Sequence, residues 1–226
     1  LSAAERAYIQ ADGPDTPARI RWAALLPHRQ TWAFALAKFL TDPIWWLYLY
    51  WLPKYLNKVH GLEIAQFAAP LVVIYLVSDA GSILGGWLSS RLLARGWTVN
   101  RARKTTMLLC ALMVTPIWLT AYTTELWPAV LLIALAAAGH QAWSANLYTL
   151  TTDMFPRKMV GSVVGFGSTF GALGGMLIAT ATGYVLEATG SYLPMFAYAG
   201  GGYLLALGAI HLLAPRLAPA QVKTAD

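Results

Sequence analysis

Six predominantly apolar runs, each near the roughly 20 residues a helix needs to cross the hydrocarbon core of a bilayer, leave this chain few folds besides a bundle of membrane helices. The runs fall at about residues 31–52, 66–92, 104–122, 127–150, 161–186 and 192–213, joined by short polar connections. Charged residues make up 12% of the 226, against about a quarter in a soluble domain, so lipid must be the solvent for most side chains. The expected fold class is an all-α membrane protein with six transmembrane helices. Residues 1–29 carry Glu5, Arg6, Asp12, Gly13, Pro14, Asp15, Pro17, Arg19 and Arg21. They read as a cytoplasmic central loop or linker with room for one interfacial helix. The bundle takes residues 30–215 and a cytoplasmic tail takes 216–226. Leu1, in a polar stretch, reads as a point inside a longer chain.

Orientation follows from where the basic residues fall. Arg6, Arg19, Arg21 and Arg29, then Arg91, Arg95, Arg101, Arg103 and Lys104, then Arg157 and Lys158, then Arg216 and Lys223 lie on one side, and Lys54 and Lys58 on the other. The positive-inside rule makes the richer side, with both chain ends, cytoplasmic. The net charge of +6 is spread between spans and forms no continuous face, which argues against nucleic acid. The single cysteine, Cys110, leaves no disulfide framework or cysteine metal site, and no cofactor is expected. Trp45, Trp46, Tyr48, Tyr50, Trp51 and Tyr55 crowd the outer half of the first span, with Tyr122, Trp127 and Tyr192 beside later outer loops. Such rings favour the headgroup level, and the deeper Trp45 and Trp46 could also line a ligand site.

A charge at mid-bilayer costs about 2.5 to 3.5 kcal/mol on insertion scales, so Lys38, Asp42 and Asp79 each need a partner, a wet cavity or a task. Lys38 and Asp42 are one helical turn apart and can neutralise each other until a ligand competes. The alternative is a structural pair beside the kink at Pro43. The fourth span carries His140, Gln141, Trp143, Ser144, Asn146 and Tyr148 in a run otherwise built of Ala and Leu; some must meet neighbouring helices while others can face water. The third and sixth spans are plain, as outer supporting helices would be. Polar first and fourth spans with plain third and sixth spans fit three helices repeated twice in inverted topology. Gly167, Gly171 and Gly175 recur at four-residue steps on the fifth span, and Gly81, Gly85 and Gly86 lie on the second; small residues there let backbones touch.

The stretch from Asp79, DAGSILGGWLSSRLLARGWTVNRARK, resembles the loop motif of the major facilitator superfamily, with Arg91 on its first basic position and Ser90 where that motif commonly has Asp. FLTDPIWWLYLYWLPKYL from Phe39 and HQAWSANLYTLTTDMFPRKMVGSVVGFGSTFGALGG from His140 are similar to the hexuronate transporter branch of the anion:cation symporter family within that superfamily. The resemblance implies the C-terminal half of a twelve-helix carrier in the inner membrane, partnered by an N-terminal half. It also implies uptake of a sugar acid such as glucuronate or galacturonate, with proton coupling whose main carboxylates lie in the other half. For such a substrate Lys38 could supply charge, Gln141 and Asn146 hydrogen bonds, and Trp45 or Trp143 a stacking face. Asp42 is the expected proton carrier here: low polarity favours its neutral form and Lys38 its ionised form, so the pair must separate during the cycle. His140 is a second candidate, and Asp79, Gly86, Arg91, Arg95 and Arg101 are the expected loop-motif and gating residues. Another carboxylate of the same family, an aldonate or glucarate, is the nearest alternative cargo. A serine protease would need Ser168 with His140 or His211. A channel would need charge ladders or carbonyl filters that no span offers. The expectation is therefore a carrier and not an enzyme.

Overall fold

The computed structural model describes residues 2–11 and 22–221. Asp12, Gly13, Pro14, Asp15, Pro17, Arg19, Arg21 and Lys223 lie outside the described residues. The chain opens with α1 (Ala3–Gln10), started by a reciprocal cap in which Glu5 N–H donates to Ser2 Oγ and Ser2 N–H to the Glu5 carboxylate. Six long helices follow among the described residues: α2 (Arg29–His60), α3 (Ala68–Ala94), α4 (Val99–Val114), α5 (Leu126–Met154), α6 (Arg157–Thr189) and α7 (Leu193–Leu213). The expected third span is not one uniform α-helix, because α4 tightens into a 3₁₀ helix over Thr115–Tyr122, where Pro116 lacks an N–H.

Among the described residues five segments are long and apolar enough to cross a membrane: Ala68–Ala94, Val99–Tyr122, Leu126–Met154, Arg157–Thr189 and Leu193–Leu213. At 32 residues α2 has the length, but its ionic, proline and aromatic content keeps it out of that set. It also runs eight residues past the expected end at Leu52, through Pro53, and stops at Gly61. There a φ of +68° suits glycine alone, and its N–H closes the last turn on the Asn57 carbonyl.

The most polar helices are the most enclosed. In α5, 61% of the apolar window is buried against 22% in α3, so α5 is core while α3 keeps a wide exposed face of Val72, Leu76, Ile83 and Leu84. Tyr48, Tyr55 and Tyr192, expected at a headgroup belt, are instead core residues; Tyr50, Tyr122 and Trp127 are exposed as a belt requires. The cause is register, since Tyr48, Leu52, Tyr55 and Leu56 share the α2 face that meets α7 and α5.

Glycine sets how closely the helices approach. A methyl group on Gly81 or Gly85 of α3 would overlap Ala138 and Ala142 of α5, four residues apart on each helix. On α6 the same construction at Gly167, Gly171 and Gly175 meets Phe34, Asp42 and Trp46 of α2. Gly174 lies against the Phe39 carbonyl that Pro43 leaves without its helical donor. Matching four-residue ridges on both partners are the geometry of close packing.

The basic ends of the helices meet. Lys104 Nζ donates to the Ala214 and Pro215 carbonyls, Arg29 to the Leu212 carbonyl, and Ala220 N–H to the Met154 carbonyl. Gly85→Ala should therefore cost the protein about 1–3 kcal/mol by overpacking. Gly86→Ala, where a methyl meets nothing, should be neutral or stabilising by up to about 1 kcal/mol. Melting curves in detergent that fail to separate the two would contradict this packing.

Candidate functional site

Helical register brings the ionic residues of α2 and the amide-rich face of α5 onto one cavity of about 210 Å³. From α2 come Lys38, Asp42, Trp45 and Trp46, and from α5 come His140, Gln141, Ser144 and Tyr148. On α5 the positions 141, 144 and 148 repeat at three and four residues, which places them on one face.

Lys38 is the centre of the site. It is 5% exposed, its Nζ lies 2.7 Å from Asp42 Oδ2, and it donates to the Tyr148 hydroxyl at 2.9 Å. The same ammonium stands 4.6 Å from the centre of the Tyr148 ring. One carboxylate, one phenol and one π-face thus satisfy a cation that lipid could not. The pair exists because α6 yields room for it: Asp42 occupies the space a side chain at Gly171 would fill.

Beside the ion pair the cavity has an aromatic wall. The Trp45 indole stacks on the His140 ring with centroids 4.8 Å apart and planes 12° from parallel. His140 Nδ1 shares a hydrogen bond with the Tyr203 hydroxyl of α7, and Tyr203 is fully buried edge-on to Trp143. A supposedly plain supporting helix therefore reaches into the site through one phenol. Tyr75 of α3 closes the other edge of Trp45.

The structure brings Lys38, Asp42, Trp45, His140 and Gln141 together on the cavity and places two other expected residues away from it. Trp143 is fully buried against Tyr203, away from the cavity. Asn146 is buried too, and its amide donates to the Gly85 and Ala142 carbonyls, bolting α5 to α3. Both occupy the face of α5 that turns from the cavity. Tyr148 was missed as a Lys38 partner; its place one turn beyond Ser144 was the available signal.

The loop-motif residues also divide. Asp79 is exposed in the middle of α3 and makes no hydrogen bond or ion pair among the described residues. Gly86 touches no neighbour that a methyl would meet; Gly85 is the contact glycine. Arg91 lies over Trp87 and Arg101 over Trp97, while Arg95 is exposed. The tie is made by Arg103, whose Nε donates to Asp153 at 2.9 Å and whose NH1 donates to Ser89 Oγ at 2.6 Å, joining α4, α5 and α3. Asp153, an acid at the basic end of α5, was the signal for it. Ser168 makes no hydrogen bond to a histidine among the described residues.

Comparison with known proteins now bears on this arrangement. Residues 3–179 match the Major Facilitator Superfamily. The chain belongs to that superfamily. Together with its apolar helices this makes it a multi-pass membrane protein. It is 31% identical over 175 residues to the hexuronate transporter of Escherichia coli K12, which covers 76% of this chain and 40% of the relative. It is 27% identical over 210 residues to the D-galactonate transporter of Escherichia coli O6:H1, covering 88% and 48%. It is also 28% identical over 183 residues to the probable galactarate/D-glucarate transporter GarP of Escherichia coli K12, covering 81% and 41%. The chain thus spans less than half the length of these superfamily relatives. They are named transporters, in keeping with a protein that is not an enzyme.

Breaking a buried pair leaves one charge uncompensated, at about 3–5 kcal/mol, whereas removing both charges costs far less. Lys38→Met and Asp42→Leu should each lower the melting temperature of the superfamily protein, and the double variant should recover most of the loss. Additive losses would show that the two groups do not act as a pair.

Proposed function

We propose that this chain is the C-terminal half of a secondary carrier that moves a sugar acid, foremost a hexuronate, across the inner membrane by proton-coupled alternating access. The observation that carries the reading is the buried Lys38 ammonium, held by a displaceable carboxylate and phenol at the edge of a cavity with an indole wall. A hexuronate carries one carboxylate and several hydroxyls. Its carboxylate would take the place of Asp42 on Lys38, its hydroxyls would meet Gln141 and Ser144, and its ring would lie on Trp45.

Displaced from Lys38, the Asp42 carboxylate would be a bare charge in a poorly hydrated site, and it neutralises by taking up a proton. Substrate entry and proton uptake are thereby linked through one ion pair. His140, bonded to Tyr203, lines the same cavity as a second proton-accepting group. The relatives named for hexuronate, galactonate and galactarate or glucarate all handle polyhydroxylated carboxylates, which supports the substrate class. An aldonate or glucarate carrier is the second reading, favoured by the match to the galactonate transporter over the larger share of the chain.

The architecture of the proposal has its own support. α2 joins the five apolar helices as a sixth span, shielded from lipid by α6, α7 and α5. α3 packs on α5 as α6 packs on α2, and α4 packs on α5 as α7 packs on α2, and these matched pairings support reading the bundle as a 3+3 inverted repeat. The linker (1–29) and tail (216–226) then lie on the cytoplasmic side with the basic helix ends. The N-terminal half covers the exposed faces of α3 and α6, where Asp79 needs a polar or cationic neighbour and where Arg91, Arg95 and Arg101 border the moving surface.

The test uses the complete protein in proteoliposomes. Lys38→Gln and Gln141→Ala should each raise the half-saturating galacturonate concentration by about tenfold or more, equivalent to about 1.4 kcal/mol. Asp42→Asn should retain substrate exchange but lose accumulation driven by a proton gradient. Unchanged affinity in the first two, or gradient-driven accumulation by the third, contradicts the assignment.

A further inference from the structure

Outside the central cavity a groove runs between α4 and α7. It encloses about 470 Å³ and is lined by Lys104, Thr105 and Leu108 from one helix and Leu204, Leu207, Gly208 and His211 from the other. Its floor is hydrocarbon running for two turns of α7, and its two ionisable residues sit together at the basic end of the bundle. We propose that this groove is a binding site for an anionic phospholipid, with an acyl chain along Leu108, Leu204 and Leu207 and the headgroup phosphate hydrogen-bonded by His211 and attracted by the charge of Lys104, whose three N–H groups are already taken up within the protein.

Three observations lead there. The groove is lined by α4 and α7 alone and shares no residue with the α2–α5 cavity, and both of these helices are apolar enough to lie in a bilayer. Leu108 and Leu204 are 41% and 38% exposed, apolar surface that an acyl chain can cover. The polar end is arranged for an anion. Lys104 Nζ stands 3.4 Å from His211 Nδ1 while donating to the Ala214 and Pro215 carbonyls. With Lys104 donating to Nδ1, the neutral imidazole carries its hydrogen on Nε2, a donor free to meet a phosphate oxygen. Arg29, bound to the Leu212 carbonyl beside His211, adds a second fixed cation. Each fixed cation near the headgroup attracts an anionic lipid over a neutral one.

Gly208 supplies a selective test. A methyl group there meets nothing within 4 Å, so the side chain of Gly208→Leu starts from open space in the groove it is meant to block. The complete protein is purified and titrated with phosphatidylglycerol, phosphatidylcholine of the same chains, or inorganic phosphate, and lipid retention is read by native mass spectrometry. The expected result is one phosphatidylglycerol retained about tenfold more strongly than phosphatidylcholine, with that preference lost in His211→Leu and binding of both lipids weakened in Gly208→Leu. The folded state of each variant is checked by its lipid-free melting temperature. Should Gly208→Leu fail to fold, Leu204→Trp obstructs the same groove from an exposed position. Equal retention of the two lipids, unaltered binding in the blocked variants, or binding of inorganic phosphate as tight as that of the lipid overturns the proposal.

Discussion

An ammonium group enclosed by membrane helices persists only if its charge is answered within a few ångströms, and the 2.7 Å contact from Lys38 to Asp42 is that answer. The rest of the site is arranged around keeping the pair in place while leaving it open to exchange. Asp42 fits only because Gly171 has no side chain, so the α2–α6 approach and the ion pair are one structural fact seen from two helices. Tyr148 adds a neutral partner from α5, which ties the pair to the opposite wall of the cavity.

That dependence explains why polar residues concentrate on α2 and α5 while α4 and α7 stay apolar. α2 and α5 each have two packing partners that cover their lipid-facing sides, leaving the ionic and amide faces for the cavity. α7 makes its contribution through a single buried hydroxyl, Tyr203, which fixes the His140 ring and through it the indole of Trp45. At the basic ends, the Arg103–Asp153 bridge and the Lys104 contacts to the end of α7 close the bundle mechanically. In the proposed cycle the cavity would exchange its ionic partners while these contacts keep the helix ends joined.

Length and hydropathy alone were enough to place the helices, because the cost of exposing backbone to lipid leaves helices of membrane length as the solution. The spacing of Lys38 and Asp42 announced their pairing, and the four-residue glycine steps announced α6 as a close-packing helix. Which side chains faced the cavity was harder to read. Trp143 and Asn146 are polar enough to suggest ligand contact, but their roles are set by neighbours distant in sequence, Tyr203 and the Gly85 carbonyl. Asp153 and Arg103 were hidden for the same reason: each is an ordinary terminal charge until tertiary packing places them 2.9 Å apart. Pro53 failed to end α2 because packing of Tyr55 and Leu56 into the core outweighs the local preference.

The central claim is that Lys38 trades its internal carboxylate for that of the substrate. A structure of the complete protein with galacturonate bound tests it most directly. The account predicts the sugar carboxylate within hydrogen-bonding distance of Lys38 Nζ, Asp42 released from that contact, and the sugar ring against Trp45. An intact Lys38–Asp42 pair with the sugar held elsewhere would contradict it.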